Sequence, residues 1–126
     1  MKSLIALPLA LALCGTAWAA DANDAMLKLA TSSGCMTCHQ IEPGGKGPDG
    51  LPPIGPAWKE VAGKYKGQKG AADQLTKTVL AGSNPYESHW KGKVSGLAMP
   101  PNAVAIKEPE AKKLVAWILS MPAKKP

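Results

Sequence analysis

Phenylalanine and arginine are both missing from this chain, and aromatic residues of any kind make up 5% of it. Ordinary aromatic packing is therefore a poor source of core volume. Without arginine there is no guanidinium fork for phosphate or base edges, which argues against nucleic-acid binding. No stretch alternates apolar and polar residues over the length of a strand, and no segment repeats, so neither a sheet nor a repeat array is indicated. The longest apolar run, Leu4 to Leu13 with Pro8 inside it, is about half of the roughly 20 residues that cross a bilayer.

What is present is lysine, glycine and proline. Fifteen basic residues, all lysine, stand against 9 acidic ones, a formal charge of +6 over 126 residues. That length suits one domain. The 13 Gly and 12 Pro exclude a long helical bundle and indicate short helices separated by loop. The hydrophobic share of 45% is that of an ordinary folded chain. Loop-rich and short of large apolar side chains, such a chain needs something else to fill its centre.

The first 19 residues read as a secretory signal peptide. Lys2 supplies the positive start, Leu4 to Leu13 the apolar segment, and Ala17-Trp18-Ala19 the small-residue cleavage pattern. Leu11-Ala12-Leu13-Cys14 is a poor lipoprotein box, because a bulky leucine precedes the cysteine. Cleavage after Ala19 discards Cys14, sends the chain to the periplasm, and leaves residues 20–126 as a single domain with Cys35 and Cys38.

Within that domain the periodicity predicts an all-α fold of three to five short helices. Ala22 to Ser33 carries an apolar face of Ala25, Met26, Leu29 and Ala30, stopped by Gly34. Trp58 to Tyr65 places Trp58, Val61, Ala62 and Tyr65 on one side; Ala71 to Ala81 turns Leu75, Val79 and Leu80 inward and is closed by Gly82. The last helix starts near Glu108-Pro109-Glu110, repeats Leu114, Trp117, Ile118 and Met121, and ends at Pro122. Gln40 to Pro56 and Ser83 to Ala105 are irregular.

Cys35-Met36-Thr37-Cys38-His39 is a C-x-x-C-H motif, the pattern of c-type haem attachment. Two thiols one turn apart can add to the two vinyl groups on one haem edge, and the next residue can bring an imidazole under the iron. A disulfide between the two cysteines is a competing reading. A thioredoxin-like site lacks its βαβ setting. A zinc site would need four ligands, for which Cys35, Cys38, His39 and His89 are the candidates.

With His39 as one axial ligand, the other candidates are Met99, Met121 and His89. Met121 falls on an apolar helix face and reads as core. Met99 sits in the irregular segment Gly96-Leu97-Ala98-Met99-Pro100-Pro101-Asn102, where two prolines stiffen the loop and packing gives a thioether little reason to be. Met99 is the favoured ligand.

The domain resembles the small bacterial class I cytochromes c of the c-551/c-552 type. Four blocks carry the resemblance: Gly34 to His39, Ile54-Gly55-Pro56-Ala57-Trp58, Met99 to Val104, and Leu114 to Ser120. It implies thioethers at Cys35 and Cys38, axial bonds from His39 and Met99, and a Pro56 carbonyl that holds the His39 ring. It implies further that Asn102 steers the Met99 side chain, that Trp90 reaches a haem propionate, and that Trp117 packs where the first and last helices cross. Loops 40–53 and 83–98 are longer than in the shortest members of that family.

The resemblance implies a non-enzymatic one-electron carrier with one covalent haem c, cycling Fe(III)/Fe(II) between a donor and a terminal reductase or oxidase. The expected partners are redox proteins with acidic docking surfaces, met by Lys46, Lys59, Lys64, Lys66, Lys69, Lys91 and Lys93, and the chain is expected to be a monomer. Three rivals remain: a five-coordinate haem enzyme, a fixed subunit of a larger oxidoreductase, and a non-haem metal or redox module.

Overall fold

The structure, a computed structural model, describes residues 17–123. The leader expected over residues 1–19, with Cys14, lies outside the described residues apart from its last three positions. Four α-helices follow one another: α1 (Ala17–Ser32), α2 (Trp58–Tyr65), α3 (Ala71–Ala81) and α4 (Glu108–Ser120). Single 3₁₀ turns at Cys35–Thr37, Pro48–Gly50 and Pro85–Glu87 punctuate the connections, and there is no strand among the described residues.

The end of α1 and the start of α4 have local causes. Gly34 follows α1 in the left-handed conformation (φ 74°), which a side chain rarely adopts, and this turns the chain directly into Cys35–Thr37. Pro109 occupies the first turn of α4, and the Glu110 carboxylate accepts from the Lys107 N–H at 3.1 Å, one half of a capping box. An i,i+4 pair, Glu108 with Lys112 at 2.7 Å, lies exposed on the same helix.

The amphipathic faces meet around α4, which packs against α1, α2 and α3. Ala30, Trp58, Val61, Tyr65, Ala71, Ile106, Ala111, Leu114 and Ile118 form one buried cluster. The Trp117 indole stands edge-on to Trp58, 5.7 Å between ring centres, and its N–H donates to Asn23 Oδ1 of α1 at 2.7 Å. That contact joins the first and last helices. On α1, Ala30 is fully buried, whereas Ala25, expected on the inner face, is exposed. Leu75 and Val79 of α3 are half-buried rather than core, because the surface they face is a cavity.

Candidate functional site

That cavity has a volume of about 350 Å³, within the range of roughly 300–1,000 Å³ typical of ligand and cofactor sites. Leu75, Val79, Leu114, Val115 and Ile118 supply apolar wall. Cys35, Cys38, His39 and Met99 all line it, although His39 and Met99 are 60 positions apart with α2 and α3 between them.

The C-x-x-C-H segment is a tight turn. Cys38 N–H donates to the Cys35 carbonyl at 3.3 Å and His39 N–H to the same carbonyl at 3.0 Å. Neither thiol is in a disulfide, and both are half-buried. Burial pushes the Cys35 thiol above its ordinary pKa, its own backbone opposes the rise, and the neighbouring Cys38 adds to it. Cys35 is thus held as a thiol.

His39 is oriented from several sides. Its Nδ1 lies 2.8 Å from the Pro56 carbonyl. A carbonyl can only accept, so Nδ1 carries the proton and Nε2 keeps its lone pair for a metal. Burial lowers the His39 pKa, and the Pro56 bond opposes that only in part, so the ring is held neutral. Trp58 stacks beside the imidazole, 6.0 Å between centres at 27°. Gly55 closes the pocket: a Cβ there would lie 2.8 Å from His39 Cε1 and 2.9 Å from Nδ1, so the chain passes where no side chain fits. The Gly55 N–H donates back to the Cys38 carbonyl at 2.8 Å.

Met99 is held by its backbone. Its N–H donates to Ser83 Oγ at 2.8 Å, and its carbonyl accepts from the Ser83 N–H at 3.0 Å. Asn102, to which the resemblance gives the steering of Met99, lies in the same loop. Its amide donates to the Pro100 carbonyl at 2.7 Å, and its backbone N–H donates to Val79 at 3.1 Å. These two bonds brace the loop backbone that carries Met99.

Trp90 also lines the cavity, with Lys64 Nζ 5.6 Å from its ring centre. His89 lines it too, but its Nδ1 is engaged by the Tyr65 hydroxyl at 3.0 Å. Met121 stands outside the cavity lining, half-buried against the core. Among the described residues no three His, Cys, Asp or Glu side chains gather into a group that could hold a metal ion, so the four-ligand zinc reading has no site. The Ser83–Met99 and Tyr65–His89 bonds, and the close approach of Gly55 to the His39 ring, were not expected from the sequence. Gly55, inside the Ile54–Trp58 block, was the one that the sequence could have pointed to.

Two thiols on one turn, a neutral imidazole with Nε2 free and a thioether share one largely apolar cavity. This donor set fits an iron porphyrin bound through its vinyl groups, and the class is that of all-α c-type haem proteins. The cytochrome c family profile matches residues 27–122, and the chain belongs to that family. Family members carry one covalently attached haem c and serve electron transfer.

The chain is 38% identical over 95 residues to cytochrome c-551 of Allochromatium vinosum, covering 75% of this chain and 84% of that one. It is 34% identical over 113 residues to cytochrome c-552 of Hydrogenobacter thermophilus, covering 90% and 95%. The crystal structure of Nitrosomonas europaea cytochrome c552 superposes with a TM-score of 0.57 at 33% identity, over 75% of this chain and 96% of that one.

Proposed function

We propose that this protein is a periplasmic, monomeric one-electron carrier whose residues 1–19 are removed on export. The observation that carries this reading is that His39 and Met99 line the same cavity as Cys35 and Cys38. The haem, when bound, supplies a one-electron Fe(III)/Fe(II) couple, and His/Met ligation favours a raised potential.

The chain's residues have separate tasks. Cys35 and Cys38 anchor the group by thioethers. His39 offers Nε2, its ring fixed by the Pro56 carbonyl, which also raises its basicity. Met99 would offer its thioether to the iron, and with His39 also bound the group would keep no vacant place for peroxide or a substrate.

Lys46, Lys64, Lys66, Lys69, Lys91 and Lys93 are exposed and supply a positive surface for an acidic redox partner. Lys59 does not belong with them, since it is half-buried and paired with Glu42. No described helix is long and apolar enough to cross a membrane.

The test is the optical spectrum and intact mass of the protein recovered from the periplasm. We expect a reduced c-type α-band, a weak near-infrared sulfur-to-iron band in the oxidised protein, and a mass equal to residues 20–126 plus one haem. Met99→Ala should abolish the near-infrared band. A five-coordinate high-spin spectrum in the wild type would overturn the carrier reading.

A further inference from the structure

We infer that Ser83 is a positioning residue for Met99: its hydroxyl holds the methionine backbone and thereby sets where the thioether lies in the cavity. The inference rests on Met99 being the sixth ligand.

Residues 96–102 form no regular element, so their geometry depends on bonds to other parts of the chain. Pro100 and Pro101 have no N–H to give. On either side of them, Met99 N–H goes to Ser83 Oγ at 2.8 Å and Asn102 N–H goes to Val79 O at 3.1 Å. The loop is therefore hung on the C-terminal end of α3 and the two residues beyond it. Ser83 grips Met99 twice, by its hydroxyl and by its backbone N–H. Ser83 is itself half-buried and lines the cavity.

This grip matters because a methionine side chain has three rotatable bonds. A Cα held at one place leaves the sulfur few positions to search, whereas a Cα free to drift makes ordering the sulfur cost more entropy. A ligand that competes for the same position should then gain against it. Ser83→Ala isolates the hydroxyl, because the bond from the Ser83 N–H to the Met99 carbonyl uses backbone atoms alone. Thr76 provides a control, since its buried hydroxyl bonds Ala72 O at 2.8 Å within α3 and Thr76 is not part of the cavity lining.

The experiment titrates imidazole into the oxidised holoprotein and follows the near-infrared sulfur-to-iron band. Ser83→Ala should bind imidazole about fivefold more tightly than wild type, the scale of one lost neutral hydrogen bond. Ser83→Thr should restore the wild-type affinity. Thr76→Ala should keep that affinity even where its denaturation midpoint falls. An unchanged affinity in Ser83→Ala, or an equal shift in Thr76→Ala, overturns the positioning role. A wild type without the band, or a Met99→Ala variant that keeps it, removes the ligand assignment and the inference with it. Met99→Ala is the variant that tells the two failures apart.

Discussion

Tyr65, the last residue of α2, and His89, in the loop between α3 and α4, are 24 residues apart and share a hydrogen bond of 3.0 Å at the cavity wall. The residues beside them meet as well, with the Lys64 ammonium 5.6 Å from the Trp90 ring centre. Two consecutive helix residues thus clasp two consecutive loop residues, and the 83–98 loop is fastened to α2 as well as to α3. Tyr65→Phe keeps the ring and removes the bond. In denaturant titrations of the holoprotein it should cost about 1 kcal/mol.

The same residue predicts a pH effect. Burial raises the Tyr65 pKa above its ordinary value. In the unfolded chain a tyrosine titrates near 10. Above about pH 10 the unfolded state therefore holds fewer protons at this site than the folded state, and stability falls as pH rises. Below that the contribution is complete. The stability of wild type should decline more steeply above about pH 10 than that of Tyr65→Phe. Parallel alkaline limbs would show that Tyr65 is not the group responsible.

Gly55→Ala should be far more damaging than its single methyl suggests. The added carbon would lie 2.8 Å from the His39 ring, which the Pro56 bond and Trp58 hold in place. Either the ring or the 54–56 backbone must move. Overpacking of this kind costs about 1–3 kcal/mol. We expect that loss in denaturation, together with a shifted Soret band, because the imidazole no longer presents Nε2 at the same angle. A variant with wild-type stability and spectrum would show that the pocket yields easily.

Local features were legible in the sequence because they are written in neighbouring residues. The spacing of Trp58, Val61, Ala62 and Tyr65 describes α2, and all four are buried. Pro109 and the flanking glutamates mark the start of α4. The C-x-x-C-H turn needs five consecutive residues. Contacts between distant segments were harder to read. Ser83 and Met99 are 16 residues apart in irregular chain, and Tyr65 and His89 lie on different elements, so no periodicity connects them. The Leu75 and Val79 face shows the same limit: a helix face toward a cofactor has the same pattern as a face toward protein.

Met121 and Met99 should behave as opposites. Met121 is packed against the core and takes no part in the cavity lining. Met121→Leu conserves volume and should cost less than about 1.5 kcal/mol, with the near-infrared sulfur-to-iron band unchanged. If Met121→Leu loses the band while Met99→Ala keeps it, the two roles must be exchanged.

Charge reversal tests the partner surface. Lys91 and Lys93 are exposed in the loop that contributes Trp90 and Leu97 to the cavity lining. The double change Lys91→Glu, Lys93→Glu should slow electron transfer to an acidic redox protein and flatten its dependence on ionic strength. Rates that are insensitive to salt in the wild type would count against electrostatic steering.

The absence of phenylalanine leads to the last prediction. The largest side chains that are fully buried are Ile106 and Leu114, and although α3 packs against α4, Leu75 and Val79 of the one and Leu114, Val115 and Ile118 of the other also line the cavity. Without a large planar group in the cavity those side chains meet water, and the helices that bear them are too short to persist alone, since isolated helices under about 12–15 residues are marginal. Replacing Cys35 and Cys38 with alanine removes both covalent links. The haem-free double variant should lose most of its helical circular dichroism and its cooperative melting transition. Retention of native-like helicity and a sharp transition would mean that the protein core closes without the haem.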